Sequence, residues 1–506
     1  MRTRRTLHLC VAVPAASAVL LSPASGRASP LIETTGAVGD QAGDQGVVSG
    51  PGAASTYFNP ALLVDADDEV LLGFALVSEQ MGVTLDGRTG GDVPLAVGGR
   101  DIVDPNGNPI PNGTVPTQWL QHGCPGGTAP GDCPPPGFAA RPRQSMGTSG
   151  QTRTYLTLGL VKTLVKDRFT VGLYAMLPLS SFTSAQAFYP DEREALFSNS
   201  LHPELYGDRL TAVSMVLGAG FKLLPTLSVG AALSIELANT ASSQDYVQDA
   251  TNYNSLLLDT GVQTHVNVSP TAGVRWKPLG WLRIGGAIHA PESFTVATSI
   301  DNELPSGTES GTTQTNVFDW MPWSVAAGAE AEIVHRGRYR MSVVGSLDYG
   351  FWSSYEDRHG QSPAMYGPDL AWRDTMSGAL GVRHEYGNAR AFVDMHYVPS
   401  PVPPQVGRSN YVDDDRAGIA FGGDVLVHLP AALRPGFQMF VDRFVPRYQQ
   451  KDSSRIVDEL PDGSVFGDTH NPVPGASGLQ TNNPGWPGFS SGGWIWGGAV
   501  TLSMPL

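Results

Sequence analysis

The sequence predicts an all-β fold, a fourteen-stranded antiparallel transmembrane β-barrel. Three observations carry this. Short segments alternate polar and apolar residues one by one. The links between them alternate short and long. No apolar run reaches the ~20 residues a spanning helix needs. The clearest segment is 339–350. Arg340, Ser342, Val344, Ser346, Asp348 and Gly350 alternate with Tyr339, Met341, Val343, Gly345, Leu347 and Tyr349. A strand turns successive side chains to opposite faces, so one face is wet and the other greasy.

The first 28 residues read as an export signal. Arg2, Arg4 and Arg5 form a basic start, the stretch from Leu7 to Leu21 is apolar but short, and Gly26-Arg27-Ala28 offers small residues for cleavage. The full chain carries a formal charge of −15, and removing the leader's four arginines (Arg2, Arg4, Arg5, Arg27) leaves −19. So acidic a chain argues against nucleic acid as a partner, since phosphate binding needs a basic face. Beyond the leader two cysteines remain, Cys124 and Cys133, in a Pro/Gly-rich stretch. In an oxidising compartment they are expected to close a loop as a disulfide. A metal pair is the rival, but with only His122 nearby the set falls short of the usual four zinc ligands.

From Asp68 onward the chain reads as strands over 68–86, 151–165, 169–180, 209–222, 227–240, 261–277, 281–298, 316–334, 338–352, 372–387, 389–399, 416–429, 435–448 and 492–505. Short turns follow the even strands, such as Lys166-Asp167-Arg168, Pro278-Leu279-Gly280 and Gly387-Asn388. Long links follow the odd ones, at 87–150, 181–208, 241–260, 299–315, 353–371, 400–415 and 449–491. Outer-membrane barrels have short periplasmic turns and long outer loops. Side-chain parity agrees. Ala391, Val393, Met395 and Tyr397 share one face, Phe392, Asp394 and His396 the other. A charge facing mid-bilayer is penalised, by about 2–4 kcal/mol for a cation, so Arg340, Asp348, Asp394 and Glu385 are assigned inward.

Asn59-Pro60-Ala61, Ser400-Pro401-Val402-Pro403 and Asp413-Asp414-Asp415-Arg416 stand out as motifs, in that order along the chain. Together with the strands between them they resemble the FadL/TodX outer-membrane transport family, which carries long-chain fatty acids and aromatic hydrocarbons. Asn59-Pro60-Ala61 is similar to the family's Asn-Pro-Ala plug motif. Ile288 to Phe294, Trp320 to Val325, and Asp348-Tyr349 with Trp352-Ser353-Ser354 resemble family strands in the same order. Ser400-Pro401-Val402-Pro403 followed by Asp413-Asp414-Asp415-Arg416 looks like the family's Ser-Pro-Val-Pro … Asp-x-Asp-Arg loop. The C-terminal Leu506 departs from the usual terminal aromatic residue.

The resemblance implies a leader over 1–28, a plug or hatch over 29–66 and a barrel over 67–506. It also implies a greasy outer groove, an inner apolar pocket and sideways release into the membrane. Asn59 and Pro60 would set the plug's turn, since Pro fixes φ and Asn bonds its own backbone. Pro178 is the candidate for a distorted strand beside a lateral gate, with a proline at the strand's outer end as the alternative. Phe182, Phe188, Phe197, Leu201, Leu256 and Leu257 are candidates for hydrophobic docking, because exposed apolar patches often mark binding sites. The expected partners are hydrophobic small molecules and outer-membrane lipid, and the expected state is a monomer.

Other signals fall away. Asp104-Pro105-Asn106-Gly107-Asn108 lacks the glutamate that closes a calcium loop. Asp413, Asp414 and Asp415 beside Arg416 read as an internal ion-pair cluster. No HExxH, G-x-S-x-G or phosphate-cradling loop is present, so neither an enzyme nor a cofactor is expected. Two readings stand beside hydrophobic-compound transport: a general porin and a surface-structural barrel.

Overall fold

The computed structural model describes residues 30–87, 91–92, 137–138, 143–147, 151–179, 201, 203, 205, 213–247, 256–303, 309–357, 362–366, 370–406, 411–428, 432–451, 485 and 487–506. Fourteen strands form the wall. They are β1 (Glu69–Leu85), β2 (Gln151–Val165), β3 (Phe169–Pro178), β4 (Ser214–Leu224), β5 (Leu227–Val247), β6 (Leu256–Leu279), β7 (Leu282–His289, resumed over Glu292–Glu303), β8 (Glu309–Met321, resumed over Ser324–Arg336), β9 (Tyr339–Gly350), β10 (Thr375–Tyr386), β11 (Ala389–Val398), β12 (Arg416–Val425), β13 (Ala432–Gln450) and β14 (Gly488–Pro505). Each pairs antiparallel with its chain neighbour. β1 closes the barrel, matching Glu69 with Pro505 of β14 on one side and with Val161 of β2 on the other.

Parity holds around the wall. On β9, Leu347 (54% exposed) and Tyr349 face outward, whereas Val344 is wholly buried. On β11, Val393 and Met395 are exposed while Phe392 and Asp394 are buried. On β14, Trp494, Trp496, Val500 and Leu502 are exposed and Ile495 is buried. The outer surface is therefore a continuous apolar belt. Left in water, each such side chain would forgo about 1.5–3 kcal/mol of burial, so the belt's solvent is hydrocarbon. No described helix is long and apolar enough to cross a membrane. The chain is an outer-membrane barrel.

Two expected strands are not continuous. β7 breaks at Ala290-Pro291 and β8 at Pro322-Trp323, because proline has no N–H for the ladder. The two inner halves end as a matched pair, His289 with Ser324. The outer halves pair with each other and swing away, so that Thr298–Glu303 runs parallel to Ala241–Tyr246 of β5. The long links expected at 241–260 and 299–315 are correspondingly short, since β5 and β6 continue into the first and β7 and β8 into the second. The alternation that marks a strand is weak in this stretch, where Ala241, Ser242, Ser243, Gln244 and Asp245 follow one another.

The N-terminal segment holds two short helices, α1 (Pro30–Thr35) and α2 (Ser55–Phe58), and a 3-10 turn over Pro60–Asp65. Leu31, Ile32, Tyr57 and Leu63 join one hydrophobic cluster with the inward residues Leu71, Val161, Tyr174 and Phe392. These come from strands around the wall, so the segment lies within the lumen.

Candidate functional site

The inner face of the wall is shaped to the N-terminal segment. Asn59 is wholly buried at the centre of this fit. Its Nδ2 donates to Val47 O at 2.7 Å and to Val274 O on β6 at 3.0 Å. Its Oδ1 accepts from Ala61 N at 3.1 Å and caps the 3-10 turn. Pro60 follows at the turn's first position, where a missing N–H costs nothing. Two wall glycines make room. A Cβ on Gly273 would collide with Asn59 Oδ1, and one on Gly230 with the carbonyl carbon of Pro60. The Asn59-Pro60-Ala61 motif thus joins a turn, a helix start and the barrel wall.

Polar contacts extend this seam. Arg383 on β10 donates to Asp394 Oδ1 at 2.6 Å and to Ala42 O of the segment at 2.6 Å. Asp44 N donates to Asp394 Oδ2 at 3.1 Å. Gln438 Nε2 donates to Thr35 O at 2.6 Å. At the foot of the segment, Asp65 pairs with Arg275 and, at 2.7 Å, with Lys277 Nζ. Higher up, His396 lies 2.7 Å from Asp44 and 3.0 Å from Asp442, and Arg416 lies 3.0 Å from Asp442. Burial pushes the Asp44 carboxyl up, but His396, Arg416 and Arg383 outweigh it and hold it below its ordinary value.

The loop between β11 and β12 closes over this seam. Ser400 Oγ donates to Asp413 Oδ2 at 2.5 Å, and Ser400 N to Asp415 Oδ1 at 2.9 Å. Tyr397 donates to Asp415, and Ser491 to Asp414 Oδ1 at 2.7 Å. Ser400, Pro401, Pro403, Asp413, Asp415 and Arg416 are therefore brought into one neighbourhood. The expected internal ion-pair cluster takes a different form. The aspartates accept from hydroxyls and a backbone N–H, and the ion pair of Arg416 crosses to Asp442 on β13. The aspartates' short side chains can meet loop donors, whereas the inward parity of Arg416 sends its guanidinium across the ladder.

Between the loop and the segment lies a cavity of about 210 Å³. Phe58, Met321, Trp352 and Val398 line its apolar part. Trp352 belongs to an aromatic cluster in which Tyr355 stacks on Trp372 at 3.5 Å and Trp320 meets Tyr355 edge-on at 5.4 Å. Six carboxylates, His396, Arg416 and hydroxyls such as Ser346, Ser377 and Ser400 line the rest. Tyr57 donates to Glu33 at 2.7 Å, and burial with the nearby Asp348 charge pushes Glu33 up to about 7. Burial pushes Asp413 up to about 7 and Asp414 to about 6. The pocket thus joins an apolar side to a polar side that is rich in carboxylates.

The remaining sequence candidates are dispersed. Pro178 is the last residue of β3, opposite Tyr155 and two residues beyond the last β3–β4 pair. Leu201 is buried in the main cluster. Leu256 and Leu257 begin β6, opposite Val247 and Tyr246, so they stand on a strand and not in a loop. Phe182, Phe188, Phe197, Cys124, Cys133 and the leader lie outside the described residues. The site residues that sequence reasoning passed over are Glu33, Asp44 and Asp442. Only their convergence in three dimensions marks them.

These features define a class: an outer-membrane barrel whose lumen is occupied by its own N-terminal segment. The fold is the FadL type. It is similar to a Pseudomonas aeruginosa FadL homologue at 15% identity, over 95% of this chain and 97% of that one, with a TM-score of 0.51. It is also matched to the P. putida toluene transporter TodX at 11% identity, over 93% and 99% of the two chains, with a TM-score of 0.45. No protein-family model and no curated protein sequence matches the chain.

Proposed function

We propose that this protein is an outer-membrane channel for hydrophobic small molecules, with residues 29–66 as its plug. The observation that carries the reading is the cavity set directly on the N-terminal segment inside a lipid-facing barrel. A hydrophobic solute must cross a polar surface layer before it reaches hydrocarbon. Apolar side chains in place of water lower that barrier.

In this reading a solute docks on the outer loops, where Phe182, Phe188 and Phe197 are the anchor candidates, and passes to the cavity. Movement of the segment then opens a path, and release is sideways, with Pro178 as the candidate gate. Long-chain fatty acids and related hydrocarbons are the classes the sequence resemblance points to. A general porin would need an unobstructed bore, and a segment packed through the lumen weighs against it. Barrel diameter grows with strand number, so fourteen strands without a filling would leak.

The test is uptake. A strain lacking the gene should lose protein-dependent uptake of toluene or oleate and regain it with the intact chain. Uptake that is identical with and without the protein for every hydrophobic probe overturns the reading.

A further inference from the structure

Six carboxylates line the lumenal cavity: Glu33 and Asp44 from the N-terminal segment, Asp348 from β9, Asp413 and Asp414 from the β11–β12 loop, and Asp442 from β13. Two cationic side chains share that lining, His396 and Arg416. Their ion pairs run to Asp44 and Asp442. Glu33, Asp348, Asp413 and Asp414 have no ion-pair partner among the described residues. Arg447 stands near the two loop aspartates, but its Nη1 donates to the backbone oxygens of Val402 and Asp413.

A second observation points to a ligand. Asp413 and Asp414 are 3% and 1% exposed, and each keeps one oxygen, Oδ1 and Oδ2 respectively, without a hydrogen-bond partner. A buried acceptor left unmet loses its hydration without replacement, so such oxygens call for a donor. No three acidic or histidine groups among the described residues are arranged as a metal-ligand set. The other half of the cavity is apolar and includes the Trp352 ring, which is four residues from Asp348. An indole face attracts an organic cation, most strongly where water is excluded.

Hydrocarbon on one side, unpaired acceptors on the other: an ammonium group on an apolar body satisfies both. It brings N–H donors and positive charge to the carboxylates, and its carbon skeleton meets Phe58, Met321 and Trp352. A fatty carboxylate brings a like charge instead, which is penalised at close range.

We propose that the lumenal cavity is a binding site for apolar amines, and that the channel selects them over anionic amphiphiles of equal length. This deepens the transport reading and rests on it, and it turns the substrate class away from the fatty acids to which the sequence resemblance points. Selection is set by Glu33, Asp348, Asp413 and Asp414, and Trp352 acts as the aromatic wall.

Three probes of equal length test this on the full chain in nonionic detergent at pH 7.5: octylammonium, octanol and octanoate, each titrated by tryptophan fluorescence. Octylammonium should bind at least about tenfold tighter than octanoate, a difference of about 1.4 kcal/mol, with octanol between them. Asp348→Asn should weaken octylammonium severalfold and leave octanol unchanged. That variant removes no hydrogen bond of the described structure, so folding is not at stake, and Asp413→Asn should act in the same direction. Octanoate binding as tightly as octylammonium, or an amine preference that survives both substitutions, overturns the proposal. Protein-dependent toluene uptake in cells, measured alongside, keeps the two claims apart. If uptake persists without an amine preference, only the selectivity falls. If uptake also fails, the transport reading falls with it.

Discussion

The lower and upper halves of the lumen solve opposite problems with the same residue types. Below the cavity and along its edge, several charges of the N-terminal segment meet partners from the wall. Asp44 faces His396, Asp65 faces Arg275 and Lys277, and Arg383 joins Asp394 to the backbone of Ala42. In the upper half the carboxylates of Glu33, Asp348, Asp413 and Asp414 face a cavity, and none has an ion-pair partner among the described residues. A buried charge is tolerated when it is paired and is costly when it is not. The contrast separates a seam that ties the segment to the wall from a cavity lined by acids that have no ion-pair partner among the described residues.

The seam should break hardest where a buried pair is halved. Arg383→Ala strands Asp394, which is wholly buried. It should lower stability by about 3–5 kcal/mol, read as a shift in the urea midpoint of the folded barrel. Asn59→Ala leaves Val47 O and Val274 O without their donor. The same measurement should show a loss of about 1–3 kcal/mol.

The cavity should respond to pH instead. Glu33 has a pKa raised to about 7, so the folded chain holds a proton there that the unfolded chain has released by about pH 5. Its contribution to stability is therefore lost as pH rises from about 5 to 7. Asp348 and Asp44 face it with like charge, and Arg416 offsets them in part. Glu33→Gln should match the parent near pH 4 and be more stable than it near pH 8, in urea titrations at both values. An equal ranking at both values would remove the claim that this acid is held against its charge. The smallest effect is expected at the exposed pair Arg340–Glu385 on the barrel's end. Arg340→Ala should change the urea midpoint by about 0.5 kcal/mol or less, because exposed ion pairs contribute little.

The sequence made the wall legible because parity is a local signal. Leu347 and Asp348 are chain neighbours that meet hydrocarbon and lumen, and alternation alone assigns them. Asn59-Pro60-Ala61 was legible for a similar reason, since a helix start has local chemistry. The breaks at Pro291 and Pro322 were also written in the chain, but proline at a strand's middle and at its rim look alike until the register is known. The outer parts of β5 and β6 carry no strict polar–apolar alternation in the sequence, so they lack the local signal of a strand. The cavity was out of reach. Glu33 and Asp348 are 315 positions apart, and no spacing rule brings a segment's acid beside a wall's acid. Gly230 and Gly273 carried the missing signal, as bare positions in strands against which a backbone would rest.

Electrical recording reaches the central point most directly. Inserted into a planar bilayer, the intact chain should show no steady ion conductance if, as proposed, residues 29–66 plug the bore. The paired substitution Asp44→Ala with Asn59→Ala, which cuts the seam at two places, should bring intermittent openings. A stable open current from the intact chain would contradict the account.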